Sequence, residues 1–293
     1  MKRAKKTILP ISMVTAILLI AGCDLNKPQE TTTTEEQVAP AVAPSEQSPA
    51  VMKTRPAFAI FSLEKGTIDL LFKPESAPAD MSFENSCPAG TQPLGLADIN
   101  FGGKLYCTDA SSRSIRVMDL ATKAELFTWM WPSEIQGTPM WFIGRWKKDT
   151  DVGLAAYDSA RGVFHIFDSA DKSFKLSSSF EYGGVGTQLL PLVGDWNGDG
   201  SDSIGVYKPA TSQMDLRNSL DAGIADISFR FENGSAEPQD VAIAVNTEQR
   251  TVAGLYSATK GSATLGSTDL AVQPQTVFFF GAPEQQKIVV PVR

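Results

Sequence analysis

From Phe58 onward, short runs in which apolar and polar residues alternate are separated by turns rich in Gly, Asp, Ser and Lys. Alternation at every second position puts one face of a strand in the core and the other towards solvent or a neighbour. The stretch Pro191–Asn218 shows the pattern most fully. Apolar Leu192–Val193 meets an oxygen-rich loop opening at Asp195, a strand-like run Ile204–Tyr207 follows, and a Lys-Pro turn leads to a second alternating run, Met214–Arg217. This predicts strand, loop, strand, turn, strand.

The pattern recurs. With Tyr207 as reference, Phe61, Tyr106, Tyr157 and Tyr256 occupy the same column, followed by the apolar pairs Met214/Leu216, Ile68/Leu70, Ile115/Val117, Phe164/Ile166 and Ala263/Leu265. A third column holds Phe83, Phe127, Phe180, Phe229 and Phe278, spaced 44 to 53 residues apart. A fourth begins each next unit at Leu96, Phe142, Leu192, Val241 and Val290. Near-constant spacing argues against a single β-sandwich, because a sandwich requires no fixed period. Four strands per unit, five times over, predict an all-β, five-bladed β-propeller of four-stranded blades over residues 57–293. The first unit starts at Phe58 without an opening strand, and Ile288–Val292 falls in that missing column, so the C-terminal strand is expected to close the ring.

Gly194-Asp195-Trp196 and the loop Asp195-x-Asn197-x-Asp199-Gly200 resemble FG-GAP/VCBS propeller repeats, which implies a calcium-holding loop between strands. Asp195, Asn197 and Asp199 place hard oxygen donors on alternate residues, and Gly200 allows the sharp turn. The Ser201 carbonyl, with Asp202 or Ser203, would complete the shell of one ion. An EF-hand is excluded because its twelfth position is Val206, and Ser203 stands where the propeller loop normally ends in an acid. An Asx-rich turn without metal is the other reading.

Residues 1–22 carry a basic start, Lys2 to Lys6, and an apolar run from Ile8 to Ile20 that is short for a membrane span. Leu19-Ile20-Ala21-Gly22-Cys23 resembles a bacterial lipobox, which implies lipid on Cys23 and a cell-envelope location; an ordinary signal peptide with a chance cysteine, or an uncleaved anchor, is the competing reading. Asp24 directly after the cysteine resembles the signal that keeps enterobacterial lipoproteins in the inner membrane, which implies an anchor there facing the periplasm, with the outer membrane as the other reading. Residues 23–56, rich in Thr, Pro, Ala, Gln and Glu, read as a tether with too little apolar surface to fold. Loss of 1–22 leaves 22 Lys and Arg against 33 Asp and Glu, a net charge of −11, which disfavours nucleic acid as a partner. Cys87 and Cys107 remain in an exported chain and are expected to form a disulfide, with two separate thiols as the other reading.

Signs of catalysis are sparse. His165 is the one histidine, and it falls in a strand column. The chain has no histidine cluster, no Cys-x-x-Cys, no phosphate loop and no G-x-S-x-G elbow. The remaining enzyme reading is a glycoside hydrolase-like propeller with carboxylates at the central tunnel, for which Asp98 and Asp195 are the available acids. The expected function is non-enzymatic: a binding or scaffold module for a protein or glycan of the envelope, joined to the membrane through the lipid on Cys23.

Overall fold

The structure is a computed structural model. It describes residues 56–293 except 63–64, 75–77, 100–101, 186–187, 232–239, 258, 267–275 and 280–286, all within the unit Pro49–Arg293. The signal segment, Cys23 and the tether lie outside the described residues.

Twenty strands, numbered in chain order, form five separate sheets. The first blade holds β1 (Phe58–Ser62), β2 (Thr67–Leu71), β3 (Met81–Glu84) and β20 (Lys287–Val290). The second holds β4 (Gln92–Ala97), β5 (Lys104–Asp109), β6 (Ser114–Asp119) and β7 (Glu125–Met130). In the third are β8 (Met140–Gly144), β9 (Gly153–Asp158), β10 (Val163–Ala170) and β11 (Ser173–Glu181). The fourth is built from β12 (Leu190–Gly194), β13 (Ser203–Lys208), β14 (Gln213–Arg217) and β15 (Ile227–Arg230). The fifth has β16 (Val241–Asn246), β17 (Thr251–Ser257), β18 (Ser262–Leu265) and β19 (Thr276–Phe279). Strands adjacent within a blade pair antiparallel, as in Tyr207 opposite Met214 and Phe164 opposite Tyr157.

Burial follows position in the blade. The second strands, such as β9 and β13, are buried on both faces, because a neighbouring blade covers each side. The outermost strands β3 and β15 alternate between half-buried and exposed residues. The predicted aromatic column supplies the blade-to-blade wedges: Tyr157, Tyr207 and Tyr256 are fully buried. Five apolar clusters correspond to the five blade interfaces. Tyr157 and Phe164, for example, pack with Val193 and Ile204 of the next blade.

Gly-x-Trp recurs at the ends of β8 and β12 for a steric reason. The Trp146 indole folds back over Gly144 and donates to the Phe167 carbonyl at 2.9 Å, and Trp196 folds over Gly194 and donates to the Ile204 carbonyl at 3.0 Å. A Cβ on Gly144 would sit 2.3 Å from the Trp146 ring. The Cys87–Cys107 disulfide is formed, with Cα atoms 5.7 Å apart, and ties the loop leaving the first blade to β5 of the second.

Two parts of the expected architecture need correcting. The blades are not five uniform four-stranded copies. In the first and fifth blades three strands follow one another closely, and the fourth is a four-residue strand added from further along the chain, β20 pairing onto β1 and β19 onto β18. Nor does the C-terminal strand close the ring. It pairs with β1 at the edge of one sheet, every sheet remains open, and beyond it a single bridge joins Val292 to Leu96 of the second blade. The reason lies in how blades meet. They pack face to face chiefly through side chains, and the backbone hydrogen bonds of residues 291–293 to Leu96 and Asp98 lie beyond β20 and add no strand to the second blade's sheet. The last blade is held against the first by Tyr256, Ala263 and Ile243 packing on Phe58, Ile60 and Leu71.

Candidate functional site

The loop joining β12 to β13 is shaped by its own acids. Asp195 accepts the N–H groups of Gly198 at 2.8 Å and Asp199 at 3.1 Å on one oxygen, and that of Gly200 at 2.9 Å on the other. Gly198 and Gly200 have φ of 77° and 91°, left-handed values at which a side chain would be strained. Asn197 donates to Asp199 at 2.8 Å, and Ser201 donates its N–H to the same carboxylate at 2.8 Å. The Asn197 and Ser201 hydrogen bonds, with the charge of Lys148 from the third blade, hold the Asp199 carboxyl below its ordinary range.

Asp195, Asn197 and Asp199 therefore converge on one rim loop, while the other two candidates turn away. The Ser203 hydroxyl donates to the Gly194 carbonyl at 3.2 Å. Asp202 is buried and points inward. It accepts the Arg145 N–H at 2.7 Å and faces Arg293 Nε at 3.0 Å, both on the same oxygen. The donor set at the rim is thus two carboxylates and one amide, with backbone carbonyls such as that of Ser201 to supplement it. Among the described residues no group of three or more His, Cys, Asp or Glu side chains is arranged to hold a metal. The set fits a weakly held hard cation better than a tight one.

The sequence reading missed Arg293. Residues 291–293 run among the inner strands, where a central tunnel would lie. Leu96 donates to the Pro291 carbonyl at 2.9 Å, Arg293 donates its N–H to Leu96 at 2.8 Å, and Asp98 donates to the Arg293 carbonyl at 3.0 Å. Asn246 of the fifth blade donates to the Val292 carbonyl at 3.0 Å. The Arg293 guanidinium, fully buried, also donates to the carbonyls of Val292 and Val193. One side chain thereby joins the fourth blade to the segment that crosses to the second. The only signal in the sequence was a single cation after an apolar strand.

The acids of the enzyme reading are both occupied. Asp98 is clamped by Arg145 at 2.9 Å and Lys104 at 3.0 Å. Burial pushes its carboxyl up, but the hydrogen bonds from Lys104 and Arg145 outweigh burial and hold it below the usual range. Asp195 is spent on the loop. His165 is buried on β10 with Nδ1 2.8 Å from the Ser179 hydroxyl, and burial, then Arg161, lowers its pKa against the opposing pull of Asp158. It is a cross-strand structural position.

No protein-family model matches the chain, and no curated protein matches it. Several solved structures resemble it. A protein of unknown function from Bacteroides caccae is 11% identical over 74% of this chain and 71% of its own, with a TM-score of 0.41. A chain of a mitotic checkpoint complex is 9% identical over 87% and 73%, at 0.39. The WD40 domain of Toxoplasma gondii coronin is 9% identical over 76% of this chain and 56% of that one, also at 0.39. None of these likenesses assigns a function to this chain.

Proposed function

We propose that this chain is a bacterial cell-envelope lipoprotein, anchored through lipid on Cys23, that displays a five-bladed propeller as a non-enzymatic binding or scaffold module. The observation that supports the non-enzymatic part is the segment 291–293 bonded to the inner-strand residues Leu96 and Val193. Asp98 and Asp195 each have their oxygens engaged as well. A general acid must be free to lose its proton to the leaving group, and a nucleophile must reach the sugar. Neither acid is placed to do so.

The rim loop is the proposed calcium site, held by Asp199 and Asn197, with Asp195 adding the remaining lone pair of the oxygen that accepts only the Gly200 N–H. The ion would supply charge neutralisation and stiffness to one loop, and Lys148 partly supplies the same charge without it. Extracellular modules of this kind bind with dissociation constants of about 10⁻⁴ to 10⁻³ M.

Metabolic labelling with a fatty-acid analogue tests the anchor. Label on the parent and none on Cys23→Ala, with the variant released from membranes by a carbonate wash, is the expected result. A variant that stays bound after the wash would overturn the lipid reading.

A further inference from the structure

The third blade differs from the others in one hairpin. Its third and fourth strands, β10 and β11, have eight and nine residues, against four to six for their counterparts in the other blades. The extra length brings Ser169 to Lys172 alongside Lys104, Tyr106 and Phe127 of the second blade. Between this hairpin and β5 and β7 lies a cleft of about 300 Å³, at the small end of ligand-site volumes.

The floor of the cleft is aromatic. Phe174 leans from β11 onto the second blade, 5.9 Å from the Phe127 ring and 6.4 Å from that of Tyr106. Phe127 is half-buried and lines the opening. Tyr106 is 3% exposed, and its hydroxyl enters no hydrogen bond found among the described residues, whereas the equivalent Tyr157 donates to the Gly184 carbonyl. Burial, then the charges of Asp98 and Asp151, keeps the Tyr106 proton in place, so the group remains a donor. Around the floor stand Lys172, Asp151 and Asp171, with Lys104 beside them paired to Asp98 at 3.0 Å, so the rim presents both donors and acceptors.

We propose that this cleft binds a neutral hexopyranose unit of an envelope glycan, with the sugar's C–H face on Phe127, which the buried Phe174 backs, and its hydroxyls on Tyr106, Lys172 and Asp151. An aromatic floor suits the apolar face of a pyranose ring. Donors and acceptors together suit neighbouring hydroxyls, each of which both gives and takes a hydrogen bond. A ligand with net charge would leave one sign of the rim opposed. The proposal rests on the reading of the propeller as a binding module and names its ligand class.

The test is ligand-observed NMR on the full chain in detergent with the methyl glycosides of glucose, galactose, mannose and N-acetylglucosamine, and with glycyl-glycine as a zwitterionic control. At least one glycoside should bind with a dissociation constant of about 1 mM. Tyr106→Phe, which keeps the ring and the fold, should weaken it about tenfold, as should Lys172→Ala. No binding by any glycoside at 50-fold above that concentration (about 50 mM), unchanged binding in both variants, or displacement of the sugar by glycyl-glycine would overturn the proposal. Envelope components retained equally by parent and Tyr106→Phe would leave the binding-module reading standing while removing the cleft from it.

Discussion

Replacing Arg293 with Met isolates the least expected feature of the molecule. The Arg293 and Asp202 side chains are 0% and 2% exposed and meet at 3.0 Å. Methionine keeps much of the side-chain stem but removes the charge and the donors to Val193 and Val292. Asp202 would then be a buried carboxylate whose remaining donor is the Arg145 N–H at 2.7 Å, and its other oxygen has no hydrogen-bond partner among the described residues even in the parent. Breaking one half of a buried pair costs about 3 to 5 kcal/mol. For a domain of this size, at about 2 to 4 °C per kcal/mol, the melting temperature should fall by about 6 to 20 °C. Asp202→Asn retains an acceptor for Arg145 and removes the stranded charge. Added to Arg293→Met, it should recover much of the loss, so the two changes couple by about 2 kcal/mol or more. Thermal unfolding followed by circular dichroism at pH 7, after a check of reversibility, measures all four proteins. Arg293→Met melting within about 2 °C of the parent, or strictly additive losses, would refute the reasoning.

Other consequences can be checked separately. Lys148→Ala should raise calcium affinity at the rim loop about threefold, since a neighbouring cation no longer neutralises Asp199; calorimetric titration reads this, with Asp199→Ala as the variant that loses binding. Asp98 has a folded-state pKa below its unfolded value, so its contribution to stability is fully present above the unfolded value of about 4 and disappears as pH falls through the folded one. Asp98→Asn should therefore be destabilised at pH 7, with the gap to the parent narrowing in acid urea titrations. Reducing Cys87–Cys107, which spans 20 residues, should cost about 3 kcal/mol in urea unfolding, chiefly by freeing the unfolded chain.

The five-fold period was legible because blade-to-blade packing demands an aromatic at one place in every blade. The Tyr157, Tyr207 and Tyr256 column is that demand written in residues. The strand positions followed from period-two alternation, and the disulfide from two cysteines in a chain read as exported. Uniform blades and a closing strand were over-read from the same regularity, because an alternating run shows which face is buried but not whether a sheet closes. The candidate loop was legible in part: Asp195, Asn197 and Asp199 do share one turn, but spacing alone could not show that Asp202 turns inward towards Arg293. That partnership spans 91 positions from 202 to 293, beyond the reach of any local pattern. The cleft left a faint trace, since 53 residues from Phe127 to Phe180 is the widest gap in its column.

The claim that this propeller binds and does not cut is tested most directly by incubating the purified chain with a glycan-containing bacterial envelope fraction. Retained material and newly formed reducing ends would be measured in the same samples over time. The account predicts saturable retention of an envelope component with no increase in reducing ends. A steady rise in reducing ends, abolished by Asp98→Asn or Asp195→Asn, would show an active tunnel enzyme and contradict it.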